Sequence, residues 1–291
     1  MSGGGGGRGG RYRAMFERLA REGRGAFVPF VVLGDPDPES SISIVRWLIA
    51  SGADALELGL PFSDPVADGP VVQRSHSRAL ASGTRPADCR RILEAARAAG
   101  PSIPIGILAY ANLVLSGGPA SFLSRIAGSG ADSVLVPDLP VDEAGSLIDA
   151  ARRAAIAPVF IAPPNARGAR LAHIAHASEG YVYVTSRPGV TGAGAAIGAT
   201  AAVLIACLRE AGSPPPLVGF GISGPEQVRA ALEAGAAGAI AGSAVIRKIE
   251  EAGPAPAGRG AAISAFVRTM KAATTLAPGG PAAFPRPPAG R

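Results

Sequence analysis

Eight short apolar runs, many of them rich in β-branched residues, recur along this chain, each followed by a segment with helical punctuation. They are Ala26 to Leu33, Ala53 to Leu60, Ile103 to Tyr110, Ser133 to Asp138, Pro158 to Pro163, Gly180 to Ser186, Pro216 to Ile222 and Ala237 to Ser243. Most are continuously apolar rather than alternating, the pattern of strands covered on one face by helices and on the other by further core. Asp37-Pro38-Glu39 offers a cap and a first-turn proline for one helix, and Val141-Asp142-Glu143 and Ser223-Gly224-Pro225-Glu226 open others. Ala-rich stretches dotted with Arg and Glu, such as Arg90 to Ala99, Glu143 to Ala155 and Gln227 to Ala234, propagate well as helices. Eight β-then-α units in 291 residues predict a single (β/α)8 TIM barrel, with Tyr12 to Glu22 as a helix before the first strand. A doubly wound open sheet would need fewer strands and a topological switch, of which the sequence shows no sign.

The barrel is expected to occupy residues 12–276, between flexible, disordered tails at 1–11 and 277–291. Gly3 to Gly10 is nearly all glycine, and Pro278 to Arg291 is dominated by Pro, Gly and Ala. The formal charge of +6 would suggest nucleic acid, but Arg8, Arg11, Arg13, Arg286 and Arg291 lie at the two ends. The remaining body is close to neutral and has no basic binding face. A hydrophobic content of 47% and a mean hydropathy of +0.27 suffice for a large core. No apolar run reaches membrane-spanning length and no signal segment is visible, so a soluble, cytoplasmic protein is expected. Cys89 and Cys207 lack disulfide or metal spacing and read as reduced thiols.

Chemistry concentrates in Glu57-Leu58-Gly59-Leu60-Pro61-Phe62-Ser63-Asp64-Pro65-Val66-Ala67-Asp68-Gly69-Pro70, directly after an apolar run. Turn capping would account for Asp64 and Asp68 by themselves. Glu57 is different: at the carboxyl end of a strand and among apolar residues, it pays desolvation unless a partner or substrate uses it. Loss of solvent raises a carboxyl pKa and leaves a proton to donate. Arg187 to Ala199, rich in Gly, Ala and Thr, reads as a mobile lid. His173 and His176 have no evident carboxylate or third ligand in sequence, so no metal site is expected, and His76 is expected on a helix surface.

The run from Ala53-Asp54-Ala55-Leu56-Glu57 through Gln73 resembles the signature of the tryptophan synthase alpha subunit family. Phe27-Val28-Pro29-Phe30, Gly34-Asp35-Pro36, Tyr110-Ala111-Asn112, Asp132-Ser133-Val134-Leu135-Val136, Pro163-Pro164-Asn165, Gly189-Val190-Thr191-Gly192, Gly219-Phe220-Gly221-Ile222-Ser223 and Gly242-Ser243 agree with it in the family's order. The resemblance spans roughly Tyr12 to Glu250 and implies a lyase that cleaves indole-3-glycerol phosphate to indole and glyceraldehyde 3-phosphate. By matched position it makes Glu57 the general acid/base and Asp68 the group that holds the indole N–H. It places Tyr183 near the scissile bond, and Phe30, Leu108, Leu135, Ile161 and Phe220 around the indole. It implies Gly192, Gly221, Gly242 and Ser243 as phosphate ligands, in keeping with the tendency of barrels to bind phosphate at the last two loops.

It further implies a partner, the beta subunit, in an alpha2beta2 tetramer, with Asp64, Pro65, Tyr110 and Asn112 at the contact. No cofactor is implied in this chain; pyridoxal phosphate belongs to the partner. Two alternatives stay open, a stand-alone lyase releasing free indole and an idle barrel that only activates its partner. The run Gly219 to Gly224 also spells GxGxxG, but the next strand ends in Gly242-Ser243 where a dinucleotide site needs an acid. Val32, Pro137 and Pro188 depart from the family pattern without removing an acid or base.

Overall fold

The computed structural model describes residues 9–185, 199–253 and 255–276. Among the described residues there are nine parallel strands: β1 (Ala26–Val32), β2 (Leu56–Gly59), β3 (Ile105–Leu108), β4 (Ser133–Leu135), β5 (Ala157–Val159), β6 (Ile161–Ala162), β7 (Val182–Val184), β8 (Pro216–Val218) and β9 (Gly238–Ala241). Their spatial order is β5-β4-β3-β2-β1-β9-β8-β7-β6. The ninth strand is an interruption rather than an additional unit. β5 and β6 are two parts of the one run expected near Pro158 to Pro163, parted at Phe160; β5 pairs with β4 and β6 with β7, so a single stretch of chain closes the cylinder. With helices between successive strands, the architecture is the (β/α)8 barrel expected.

Side-chain parity sorts this barrel into two cores. Val31, Leu56, Leu58, Ile105, Ile107, Val134, Val182, Val184, Val218, Ala239 and Ala241 face outward and join the layer beneath the helices. Val28, Phe30, Val32, Leu108, Leu135, Val159, Tyr183, Leu217 and Ile240 face inward and fill the lumen. Because successive strand residues point to opposite faces, outward Leu56 and Leu58 force Glu57 inward. Near-continuous hydrophobicity in the sequence is thus the sum of two apolar environments, one on each face of every strand.

The amino end of the lumen is sealed by the helix Gly10–Arg21, whose Tyr12, Met15 and Leu19 are buried at helical spacing and belong to the interior cluster. Tyr12 Oη lies 2.8 Å from Ser133 Oγ. Gly106 makes room for it: a Cβ there would come within 3.1 Å of the Tyr12 hydroxyl and 2.8 Å of Ser133 Oγ. This helix begins before Tyr12, and Arg11 does not behave as a tail residue. Its guanidinium sits 2.7 Å from Asp132 Oδ1 and 3.0 Å from the Pro101 carbonyl, because a nearly enclosed carboxylate needs a cation. Elsewhere, Asp37 caps the helix Pro38–Ala50 by accepting from Ser40 N–H at 2.9 Å.

Two aspartates just ahead of strands hold the amino end together. Asp54 accepts from Phe27 N–H at 2.9 Å and meets Arg18 and Lys271. Asp132 accepts from Ile105 N–H at 2.8 Å and pairs with Arg97 at 2.6 Å as well as with Arg11. Asp132→Ala leaves the buried Ile105 N–H without its acceptor and the half-buried Arg97, which keeps the Gly130 and Ile103 carbonyls, without its carboxylate; a loss of about 3 kcal/mol is expected, read as a lower urea midpoint at unchanged m.

Candidate active site

Glu57 is the second residue of β2 rather than its last, set inside the lumen, and opposes Phe30 on β1 and Gly106 on β3 in the strand register. It is only 2% exposed. Tyr181 donates its hydroxyl proton to Glu57 Oε1 at 2.8 Å, while Tyr12 packs against the Tyr181 ring with centroids 5.3 Å apart. Burial pushes the Glu57 pKa up to about 7; the hydrogen bond from Tyr181 opposes the rise and the charge of Asp68 adds to it. Tyr181 was not singled out from sequence, although it shares the inward parity of Tyr183, two residues on.

Tyr183 lies across the lumen and donates to the Gly219 carbonyl at 3.0 Å. Gly219 is required by this approach, since a Cβ would fall 2.0 Å from the tyrosine ring carbon Cζ. Burial, with Glu57 and Asp68 nearby, holds the Tyr183 hydroxyl pKa well above its usual value, so it stays a phenol. Phe220 meets the same ring edge-on at 6.1 Å.

Asp68 ends the loop that follows β2 and is 6% exposed. Tyr110 donates to Asp68 Oδ2 at 2.7 Å and accepts from Ala67 N–H at 3.2 Å. Expectation and structure part here. The Tyr110 side chain is fully buried rather than on a contact surface, because its ring stacks on Phe62 and its hydroxyl finds partners only in the Asp68 loop. His76 is likewise buried, not on a helix surface. It lies on the inner face of the helix Pro70–Ala81 with Val72, Ser75 and Ala79, where its ring nitrogens face Phe62 N–H and Asp68.

Glu57, Asp68, Tyr183, Phe30, Leu108, Gly221, Gly242 and Ser243 line one pocket of about 440 Å³, counting its open mouth. Val72, Gly219, Ile222 and Ile240 complete the wall. Leu135 belongs to the barrel interior, and Ile161 faces a neighbouring groove with Pro137 and Phe160. Opposite the two acids, Gly242 precedes the helix Ser243–Glu251, whose first N–H groups have no carbonyl within the helix to bond. Gly192 and the expected lid, Arg187 to Ala199, lie outside the described residues apart from the helical position 199. Among the proposed contact residues, Asp64 and Asn112 are exposed and Pro65 is buried. His173 has a carboxylate partner after all, Asp142 at 2.9 Å. Among the described residues no group of three or more His, Cys, Asp or Glu could hold a metal ion, and no helix is long and apolar enough to cross a membrane.

A family model described as tryptophan synthase alpha chain matches residues 16–275. The chain belongs to the tryptophan synthase alpha chain family. It is 54% identical over 264 residues to the alpha chain of Shewanella oneidensis, covering 91% of this chain and 95% of that one. Over the same length it is 51% identical to the alpha chain of Escherichia coli, covering 91% and 98%. A solved structure of Mycobacterium tuberculosis tryptophan synthase superposes with a TM-score of 0.83 at 30% identity, covering 92% of this chain and 99% of that one.

In this alpha chain the raised Glu57 pKa has a thermodynamic sign. The folded protein keeps the proton to about pH 7, whereas an ordinary glutamate loses it near 4.5. Stability contributed by this group is therefore intact below the lower value and falls as pH rises through the window. Glu57→Gln, which cannot ionise, is expected to match wild type at low pH and to exceed it by about 3 kcal/mol above neutrality; thermal unfolding across pH 4.5 to 8 measures the divergence.

Proposed function

We propose that this alpha chain cleaves indole-3-glycerol phosphate to indole and glyceraldehyde 3-phosphate by a retro-aldol reaction, as a lyase of tryptophan biosynthesis in the cytoplasm. The observation that carries the reading is the pairing, in one pocket, of a carboxyl group poised near neutrality with a second buried carboxylate, facing glycine-lined loops suited to a phosphate.

Cleavage of the carbon–carbon bond requires a proton at the ring carbon that bears the glycerol chain, and removal of one from the adjacent hydroxyl. Protonated Glu57 supplies the first. Positive charge then gathers on the indole nitrogen, where Asp68, accepting the N–H, stabilises it. The hydroxyl proton passes to Glu57, now a carboxylate, as the carbonyl of the aldehyde forms and the bonding electrons return to the ring. This regenerates the starting acid. A general acid/base poised near the working pH contributes on the order of 10²- to 10⁴-fold to such a step. Tyr183 packs beside the breaking bond. Phe30 and Leu108 contribute apolar walls, with Leu135, Ile161 and Phe220 of the surrounding interior cluster next to them, while Gly192, Gly221, Gly242 and Ser243 hold the phosphate on backbone N–H groups and a helix N-terminus.

The same reading gives the chain a beta subunit as partner, in an alpha2beta2 tetramer, with the pyridoxal phosphate on the beta side and no cofactor here. Exposed Asp64 and Asn112 form the contact, next to Pro65 and Tyr110, which are themselves buried. Tyr110 supports a route inward, since its hydroxyl joins the loop at Ala67 to Asp68.

Wild type, titrated with a beta subunit while substrate loss and indole are followed, is expected to release indole. Glu57→Gln and Asp68→Asn are expected to lower kcat by about 10²-fold or more. Absence of indole from wild type with partner present, or wild-type rates in both variants, would overturn the proposal. High activity unchanged by the beta subunit would point to the stand-alone lyase instead.

A further inference from the structure

The function proposed for Asp68 requires its carboxylate to be ionised and aimed, and the loop that carries it spans ten residues from Leu60 to Gly69. One side chain touches both ends of that loop. His76 Nδ1 accepts from Phe62 N–H at 3.2 Å, and His76 Nε2 lies 3.3 Å from Asp68 Oδ2. The ring is fully buried, and Nε2 makes no hydrogen bond. A nitrogen that accepts a backbone N–H carries no proton of its own, so the neutral ring must bear its proton on Nε2. That proton is on the side of the ring nearest Asp68, off the direct line to Oδ2. Tyr110 donates to the same oxygen, Oδ2, from the other side at 2.7 Å, and its ring meets the imidazole edge-on with centroids 6.4 Å apart. Two donors converging on Oδ2 leave Oδ1 as the oxygen they do not engage.

We infer that His76 is a positioning residue for Asp68: as the neutral Nε2–H tautomer it clasps the loop at Phe62 and donates to Asp68 Oδ2, presenting the other oxygen to the indole N–H. The inference rests on the functional reading above. It assigns His76 no contact with substrate, and its effect runs through Asp68 alone. A catalytic hydrogen bond that is poorly aligned commonly tightens in the substrate complex. The charge that Asp68 balances develops only during reaction, so loss of the clasp should act on kcat more than on KM.

The chain has three histidines, which makes ring-nitrogen NMR of ¹⁵N-labelled protein a direct test that needs no turnover. His76 is expected to show a protonated Nε2 and a bare Nδ1 at neutral pH; the opposite tautomer overturns the inference. In the assay with beta subunit, His76→Leu is expected to lower kcat ~10-fold at nearly constant KM, and to cost less than about 2-fold when Asp68 is already Asn. His76→Gln, whose amide can reach the place of Nε2, is expected to hold kcat within about 3-fold of wild type. A folded His76→Leu with wild-type kcat, or an equal loss in the Asp68→Asn background, overturns it. If His76→Leu does not fold, His76→Gln decides, and a tenfold fall in its kcat counts against the inference. A wild type that forms no indole would refute the functional reading while leaving the tautomer result to stand or fall separately.

Discussion

The hydrogen bond from Tyr181 to Glu57 joins two side chains that only strand parity could bring together. Leu56 and Leu58 are drawn outward under the helices, so Glu57 must enter the lumen; Val182 and Val184 do the same for Tyr181 and Tyr183. Once inside, the carboxyl group has little solvent, one phenol and a second acid nearby, and its pKa rises accordingly. Removing Tyr181 would take away the opposing influence, whereas admitting water would remove the cause of the shift. The apolar lumen around Glu57 is therefore a chemical component of the site as much as a packing solution.

The two ends of the barrel use carboxylates in contrasting ways. Asp54 and Asp132, at the amino end, are each surrounded by cations and a backbone N–H, and their work is structural. Glu57 and Asp68, toward the carboxyl end, have hydroxyl and imidazole neighbours rather than Arg or Lys. An acid neutralised by arginine could neither hold a proton near neutrality nor respond to charge appearing on a bound ring. Charge pairing braces the barrel at Asp54 and Asp132, and also at Asp35 beyond β1, where Arg78 lies 2.7 Å away; its avoidance at Glu57 and Asp68 keeps those two groups available.

Much of this was legible in sequence because it is local. Each apolar run carries its own parity, and the loop after Leu56 advertises itself through its acids and prolines. The fold class followed from counting such runs, though the interruption at Phe160 did not, since it arises from one segment serving two different neighbours. What sequence reading missed is non-local. Tyr110 reaches Asp68 across 42 residues and Tyr181 reaches Glu57 across 124, so neither contact leaves a trace in spacing. His76 was nearer to hand: Val72, Ser75, His76 and Ala79 form the buried stripe of a helix, and that periodicity alone would have turned the imidazole inward.

The plug formed by Tyr12 carries a consequence for how the acid is made. Its ring supports Tyr181, which in turn donates to Glu57, so the helix that opens the described fold bears on that carboxyl group through the hydrogen bond. The proton affinity of a carboxyl group inside the lumen is thus tied to the sealed base of the barrel. Substitution at Tyr12 and its neighbours can therefore retune proton affinity while the residues lining the pocket stay unchanged.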